Sequence, residues 1–309
     1  MTKKNYSLIT SDEIQRKFLS HRKRSNTKGP DVVWNLVSNA LSKDFKCEFI
    51  TPGKMQKNLS TNSQNILILK WLRTDDLLIR FIRANSGKKI TLGPNVELAS
   101  GPLMQFLNLN PNLYSKVIFP SKWISDIYKY QINGNNLKVI TWPVGINTEY
   151  WKPLMKNIKK REKIMVYIKE YEQFSNFIKK YGNCFDNNFI FVRYGEYKPK
   201  EFRRLLNKCK LAIWFSGTES QGIAMLEAWS MDVPTLVFKS QGVNIFNNNF
   251  IGESAPYLND KCGQYFEDLE TLLNLIQSHS LYKNIYEPRK WTTKNLTIEL
   301  AIKKLIEFI

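Results

Sequence analysis

Short apolar runs alternate with amphipathic segments along most of the 309-residue chain. Runs of four to eight apolar residues between polar or turn residues are typical of buried strands. In the first half, such runs predict strands at residues 6–9, 47–50, 65–69, 89–92, 116–119 and 138–142. Apolar residues at helical spacing after Pro30 predict a helix that begins there. Strands that alternate with helices indicate βαβ units and a mostly parallel sheet.

The same alternation restarts after a turn-rich stretch at 143–153 and a basic stretch at 156–163. The apolar runs predict strands at residues 164–168, 189–193, 211–215 and 235–238. The segments between them predict helices at residues 170–181, 199–208 and 221–230. Two amphipathic segments near the end, 266–276 and 296–309, predict further helices. The second half therefore repeats the architecture of the first, and we predict an α/β protein of two Rossmann-like domains.

The chain is strongly basic, with 46 Lys and Arg against 27 Asp and Glu and a formal charge of +19. Residues 1–150 carry 22 of the basic and 10 of the acidic residues, so the first half holds most of the excess. Such a charge attracts an anionic partner, which can be nucleic acid, an anionic membrane face or a phosphorylated substrate. The sign of the charge does not choose among them.

No apolar run approaches the roughly 20 residues that a membrane span needs. Residues 1–4 lead into the first strand without the apolar core of a signal peptide, so we expect a cytoplasmic protein. The four cysteines are Cys47, Cys184, Cys209 and Cys262. No two of them form a C-x-x-C pair, which argues against a zinc site or a disulfide framework.

The most informative stretch is 212–237, where a buried strand runs into a loop whose glycine opens a helix. Ligands of open α/β sheets bind beyond the carboxyl ends of the strands, and this loop lies at such an end. Four backbone N–H groups belong to the helix start, those of Gln221, Gly222, Ile223 and Ala224. Together with the helix dipole they favour a phosphate group, so we predict that a diphosphate binds here.

Two carboxylates flank this predicted anion site, Glu219 in the loop and Glu227 one to two turns into the helix. A carboxylate oxygen accepts a charge-assisted hydrogen bond from a neutral hydroxyl group, which suits it to bind sugar hydroxyls. Glu227 stands between Leu226 and the apolar pair Ala228 and Trp229, a setting in which a carboxylate needs a specific reason. The pattern predicts a site for a phosphorylated sugar compound.

The spacing of Glu219 and Glu227, with Gly222 between them and Ala228 and Pro234 after them, resembles a known donor-site motif. It is similar to that of retaining GT-B glycosyltransferases of glycosyltransferase family 4 (group 1). The resemblance implies that Glu227 binds the nucleotide ribose, that Glu219 contacts the donor sugar, and that the amides of 221–224 contact sugar or phosphate. It also implies two Rossmann-like domains that face each other across a cleft.

Three further segments carry the same resemblance. Residues 117–123 resemble the strand-to-helix step before the last helix of the first domain, and residues 143–153 resemble the interdomain linker. Residues 164–169 resemble the first strand of the second domain. Lys169 lies at the position where the family has a basic residue that binds the donor diphosphate. On this basis the acceptor-binding domain spans 1–152 and the nucleotide-sugar-binding domain 153–288. The helix within 289–309 is expected to pack back on the first domain.

Other candidate contacts depend on position alone. Arg193 and Tyr194 end the second strand of the second domain, where a contact with the nucleobase or a phosphate is expected. Gly29 follows a basic segment of the first domain and is a candidate to approach the diphosphate from there. Family members commonly have a pair of glycines at this point, and a histidine where this chain has Gly93-Pro94-Asn95. These departures leave catalysis from the first domain open.

The sequence thus predicts a glycosyltransferase that moves a sugar from a nucleoside diphosphate sugar to a glycan, lipid-linked or other hydroxyl acceptor, with retention implied by the resemblance. Glu219 and Lys169 are the catalytic candidates. No cofactor or divalent metal is expected, because the chain has no Asp-x-Asp triplet and its cations can balance the diphosphate. An epimerase, a phosphorylase or a non-catalytic relative on the same fold are the alternatives.

The excess positive charge has two candidate partners. The basic run at 21–24 is a candidate for peripheral contact with an anionic membrane. A basic nucleic-acid-binding protein is the rival from another class, but the chain has no RNA-recognition signature, zinc pattern or basic helix. Binding of nucleic acid is therefore not expected.

Overall fold

The structure is a computed structural model that describes residues 5–9, 29–69, 76–94, 107, 113–131, 137–154, 161–181, 185, 187–240, 242–245, 248–281 and 286–309. The chain forms two compact units. The first contains Met1–Val144 together with Ala301–Ile309, and the second contains Gly145–Leu300. Within the described ranges, no helix is both long and apolar enough to cross a membrane.

The first unit contains a six-stranded parallel sheet. Its strands are β1 (Asn5–Ile9), β2 (Lys46–Ile50), β3 (Asn65–Ile68), β4 (Lys89–Leu92), β5 (Lys116–Phe119) and β6 (Lys138–Thr141). They follow the order β2-β1-β3-β4-β5-β6. The last three residues of β3, β4 and β5 are all buried, which explains why these strands are continuous apolar runs in the sequence.

Helices follow the strands of the first unit, as the alternating pattern predicted. They are α1 (Gly29–Asp44), α2 (Pro52–Lys57), α3 (Asp76–Ala84) and α4 (Lys122–Gln131). The buried face of α3 consists of Leu78, Phe81 and Ile82, which recur at helical spacing. The last helix of this half, α4, begins directly after Ser121, whose side chain is fully buried.

The second unit contains a five-stranded parallel sheet. Its strands are β7 (Lys163–Ile168), β8 (Phe189–Arg193), β9 (Cys209–Phe215), β10 (Thr235–Phe238) and β13 (Gly263–Phe266), in the order β13-β10-β9-β7-β8. A separate antiparallel pair, β11 (Val243–Ile245) and β12 (Asn248–Phe250), lies between β10 and β13 in the chain. The strand β9 is therefore central, with β7 and β10 as its neighbours.

Six helices complete the described part of this half of the chain: α5 (Tyr171–Tyr181), α6 (Pro199–Leu206), α7 (Ile223–Ser230), α8 (Leu269–Leu281), α9 (Pro288–Asn295) and α10 (Ile298–Phe308). The helix predicted at 266–276 begins later than expected, because Phe266 is the last residue of β13. The Asp268 carboxylate accepts a 2.7 Å hydrogen bond from the Thr271 backbone N–H and so marks the start of α8.

Alternate residues of β7 face opposite sides of the second sheet, and each side has its own aromatic core. On one side Tyr167 stacks on Trp214, with ring centroids 4.1 Å apart. On the other side Phe177 makes edge contacts with Phe215 and Phe266 at 5.3 and 5.9 Å. Both faces of the sheet are therefore covered, as expected for parallel strands between layers of helices.

The final helix α10 starts in the second unit, and its residues from Ala301 onward belong to the first. Within the first unit, the buried Trp142 indole N–H donates a 2.7 Å hydrogen bond to the Ala301 carbonyl. Ala301, Ile302 and Leu305 are the buried residues of the helix. Their spacing of one and three places them on one face of α10.

Candidate functional site

The loop between β9 and α7 lies at the carboxyl edge of the second sheet. Gly222 precedes the helix with φ of 75°, a left-handed conformation that glycine adopts without a steric penalty. Its carbonyl accepts the N–H groups of Met225 and Leu226 at 3.0 and 3.1 Å. The N–H groups of Ile223 and Ala224 belong to the first turn and have no acceptor within the helix. The helix thus begins at Ile223, two residues later than the predicted Gln221, and its first-turn N–H groups form an electropositive start.

A second loop, which follows β7, packs beside this one. The Lys169 and Glu170 N–H groups both donate to the Phe215 carbonyl, at 2.8 and 3.2 Å. Gly217 has φ of 61°, and a β-carbon on it would lie 2.6 Å from Glu170 Cγ. The loop therefore needs glycine at this position, both for its backbone conformation and for its close approach to Glu170.

The segment before β13 supports the β9–α7 loop from another side. The Glu219 N–H donates a 2.8 Å hydrogen bond to the Glu253 carbonyl. A β-carbon on Gly252 would lie 2.3 Å from Thr218 Cγ2, so the two segments are in close contact. These contacts fix the backbone that carries Glu219.

Lys169 and Glu219 form an ion pair in which Lys169 Nζ lies 2.8 Å from Glu219 Oε2. The side chains are 27% and 11% exposed, so both charges are largely removed from water. Burial raises the pKa of the Glu219 carboxyl, and the charge and hydrogen bond of Lys169 act in the opposite direction. The cation is thus the group that favours an ionised Glu219 in this setting.

Glu227 lies in the second turn of α7 and keeps partial exposure, while Leu226 and Ala228 beside it are buried. Burial raises the pKa of the Glu227 carboxyl to about 8. A carboxyl group with such a pKa is protonated in a large fraction of molecules at neutral pH. It can then donate one hydrogen bond and accept others, which suits the two hydroxyl groups of a ribose.

Tyr197 belongs to the same site, although the sequence pattern did not identify it. Its hydroxyl lies 3.0 Å from the Tyr167 hydroxyl. Burial raises the pKa of Tyr197, and the charges of Glu227 and Glu219 add to this effect, so the ring lies within electrostatic reach of both. Tyr197 follows β8 by four residues. This position at the carboxyl edge of the sheet was the available signal.

Two cation–aromatic pairs connect the ends of the neighbouring strands β7 and β8. Lys169 Nζ lies 5.3 Å from the ring centroid of Tyr194, and Arg193 Cζ lies 5.0 Å from that of Tyr171. Each pair joins a residue that follows β7 to one at the end of β8. Tyr194 and Tyr171 are 52% and 57% exposed, so both rings are open to solvent. Exposed rings beside cations can bind an anionic, aromatic ligand.

The structure brings nine of the predicted site residues to one edge of the second unit. These are Lys169, Arg193, Tyr194, Glu219, Gln221, Gly222, Ile223, Ala224 and Glu227. Gly29 is the first residue of α1 in the first unit, and the basic segment 10–28 before it lies outside the described residues. The Gly93–Pro94 peptide bond is cis, and Asn95 is also outside the described residues.

Each unit contains one parallel sheet that is flanked by helices. The chain therefore has the GT-B fold of glycosyltransferases. No protein-family model matches the chain, and no curated protein matches its sequence. The chain is similar in structure to sucrose-phosphate synthase from Thermosynechococcus elongatus, with a TM-score of 0.63 and 11% identity over 99% of this chain and 98% of that one.

Two further solved structures share the fold over nearly their whole length. Anabaena HepE, solved in complex with UDP and glucose, has a TM-score of 0.60 and 11% identity, and 99% of each chain is covered. A glycosyltransferase from Rickettsia africae has a TM-score of 0.57 and 12% identity, over 100% of this chain and 98% of that one. At such identities the likeness establishes the fold and not the function.

Proposed function

We propose that the protein is a glycosyltransferase that transfers a sugar from a nucleoside diphosphate sugar to a hydroxyl group of a glycan or lipid-linked acceptor. The observation that carries this proposal is the grouping of three features at one sheet edge. They are the first-turn N–H groups of α7, the Lys169–Glu219 ion pair and the Glu227 carboxyl. Phosphate, sugar hydroxyls and ribose hydroxyls are the ligand groups that these features match.

In this proposal each part of the donor has its own residues. The diphosphate oxygens bind the Ile223 and Ala224 N–H groups, with the Gln221 and Gly222 amides beside them. Lys169 supplies a positive charge to the same oxygens. Glu227 binds the ribose hydroxyls, and Glu219 accepts hydrogen bonds from the transferred sugar.

The exposed rings of Tyr194 and Tyr171 provide a place for the nucleobase of the donor. Tyr194 stands beside Lys169 with half of its side chain exposed, and Tyr171 stands beside Arg193. A nucleobase that stacks on these rings would lie next to the cations that face the diphosphate. Arg193 can then contact either the base or a phosphate oxygen.

The chemistry we propose requires charge stabilisation rather than a protein nucleophile. The bond between the anomeric carbon and the phosphate oxygen breaks, and its electron pair leaves with the diphosphate. The acceptor hydroxyl oxygen forms the new bond to that carbon, and its proton passes to the departing phosphate oxygen, with retention of configuration. Lys169 and the helix-start amides stabilise the developing charge, which is how the site would work without a divalent metal or other cofactor.

Binding of nucleotides tests the proposal directly. A ligand that binds only the folded state raises the melting temperature, so UDP, GDP, ADP and their sugars are each mixed with the protein in a thermal-shift series. At least one is expected to stabilise the wild type, and Glu227→Gln is expected to reduce that effect. Absence of stabilisation by every nucleotide would contradict the proposal.

Product analysis separates glycosyl transfer from other sugar chemistries on the same fold. A transferase forms a glycoside only when acceptor is present, an epimerase converts the donor without acceptor, and a phosphorylase requires phosphate. Free UDP or another diphosphate, released in step with a glycoside, is the expected result.

We also propose a cytoplasmic protein that contacts an anionic membrane at its periphery, which would suit a lipid-linked acceptor. The support is the formal charge of +19, most of which lies in residues 1–150. Vesicles of phosphatidylcholine with and without phosphatidylserine test this at physiological salt. Stronger sedimentation with the anionic vesicles is expected, and equal sedimentation would contradict it. If duplex DNA shifts the electrophoretic mobility of the protein and no nucleotide stabilises it, the alternative of a nucleic-acid-binding protein is favoured instead.

A further inference from the structure

The helix α7, whose start faces the proposed donor site, has a hydrogen-bond donor for each of the last four carbonyls at its other end. The last four carbonyls of a helix have no partner within it and need one elsewhere. Here the three residues after the helix supply donors for three of them. The Met231 N–H donates to the Glu227 carbonyl at 3.0 Å, and the Asp232 N–H donates to the Trp229 carbonyl at 2.9 Å. The Val233 N–H donates to the Ala228 carbonyl at 3.0 Å. The pattern is a Schellman motif with Asp232 at its left-handed position.

The fourth carbonyl, that of Ser230, accepts its hydrogen bond from a side chain distant in sequence. Arg289 Nη1 donates to the Ser230 carbonyl at 2.6 Å and to the Trp151 carbonyl at 3.1 Å. The guanidinium also reaches the Thr148 carbonyl, at 3.3 Å from Nη1 and 3.4 Å from Nη2. A single planar cation therefore joins the end of α7 to the segment between Thr148 and Trp151.

The contact is reciprocal, because α7 and the residues directly after it also contact α9, the helix that contains Arg289. Asp232 has φ of 60°, a conformation that glycine usually takes after a helix. Its carboxylate accepts a 3.2 Å hydrogen bond from the Arg289 N–H, in the first turn of α9. The rings of Trp229 and Trp291 make an edge contact between the same two helices at 5.8 Å. Arg289 thus satisfies the last carbonyl of α7, and Asp232, two residues after α7, accepts an N–H group at the start of α9.

We propose that Arg289 is a positioning residue for the donor site, acting through α7. The helix has eight residues, so its start lies only about 12 Å from the Ser230 carbonyl. A rigid helix that shifts at one end moves Glu227 and the first-turn N–H groups with it. Arg289 fixes this end by joining it to two carbonyls of a second segment. The inference rests on the proposed function, since it concerns binding of the same donor.

A double-mutant cycle tests this role. Affinity for the nucleoside diphosphate that best stabilises the wild type is measured by calorimetry for the wild type, Arg289→Met, Glu227→Gln and the double variant. We expect Arg289→Met to raise Kd about tenfold. In the double variant with Glu227→Gln, Kd should rise by at least about threefold less than the product of the two single effects. Arg289→Lys should recover little, because the shorter lysine side chain places its ammonium group farther from the Ser230, Trp151 and Thr148 carbonyls that Arg289 Nη1 contacts.

A matched control separates positioning from general loss of stability. Lys290→Met changes the next residue of α9, whose side chain is 75% exposed and pairs with Glu287, and it should leave Kd unchanged. All affinities are measured where urea titration shows each variant to be fully folded. Unchanged Kd in Arg289→Met, or additive effects in the cycle, would overturn the inference alone. A wild type that binds no nucleoside diphosphate would overturn the proposed function, and this inference with it.

Discussion

Lys169 and Glu219 form a 2.8 Å ion pair although 50 residues separate them in the chain. Lys169 follows β7 and Glu219 follows β9, two strands that are neighbours in the sheet. The pair fills part of the site in which we propose that a donor diphosphate and sugar bind. On binding, the phosphate oxygens would take over the Lys169 ammonium while sugar hydroxyls approach Glu219.

Loss of the Lys169 cation should affect both stability and binding. Lys169→Met leaves the Glu219 carboxylate largely buried without the Lys169 positive charge, and we expect about 1–3 kcal/mol less stability in urea unfolding at pH 7. The double variant Lys169→Met with Glu219→Gln should recover part of the loss, because it no longer buries the carboxylate charge. Equal stability of Lys169→Met and the wild type would contradict the importance of the pair.

Glu227 should make the stability of the protein depend on pH. Its pKa is raised from an ordinary 4.5 to about 8, so the folded state holds the proton more tightly than the unfolded state does. The resulting stabilisation is complete below pH 4.5 and is lost as the pH rises through about 8. Urea titrations at several pH values between 5 and 8.5 should therefore show a decline in the wild type that Glu227→Gln reduces. Parallel declines in both proteins would contradict this assignment.

Substitution of Gly145 tests the backbone packing of the second unit. A β-carbon there would lie 2.3 Å from the Thr297 carbonyl oxygen and 2.5 Å from Ile298 Cα, both backbone atoms. We expect Gly145→Ala to lower stability by about 2–4 kcal/mol in thermal melts. Gly87→Ala is the control, since a β-carbon on Gly87 meets nothing within 4 Å. The control should be neutral or slightly stabilising, and similar losses in both variants would contradict the packing argument.

Tyr194 tests the proposed place of the nucleobase. Stacking of a base on an aromatic ring contributes about 1–3 kcal/mol, so Tyr194→Ala should weaken binding of a nucleoside diphosphate about tenfold or more. Tyr130→Ala is the control, because Tyr130 is also largely exposed but belongs to the first unit. Calorimetry with the diphosphate and with inorganic pyrophosphate distinguishes the base from the phosphates. Equal weakening for both ligands would assign Tyr194 to the phosphates instead.

Much of the fold could be predicted because buried parallel strands are continuous apolar runs. The largely buried strands at 89–92, 116–119 and 235–238 have the bounds that the sequence predicted. So does the edge strand at 189–193, which is an apolar run although most of its residues are partly or fully exposed. The strand β13 was missed because exposed Gln264 and Tyr265 interrupt its apolar pattern. Its pairing with β10 stabilises it despite that pattern, and this pairing is a long-range contact.

The sequence by itself determined where most of the strands and helices lie and which glycine opens the helix at the candidate site, because these features depend on local periodicity and backbone conformation. Only the tertiary structure decided which of the side chains meet. The strand order β13-β10-β9-β7-β8 places Lys169 against Glu219, and the packing of α9 on α7 places Arg289 at the Ser230 carbonyl. Such contacts depend on how distant segments pack, and local sequence carries no record of that arrangement.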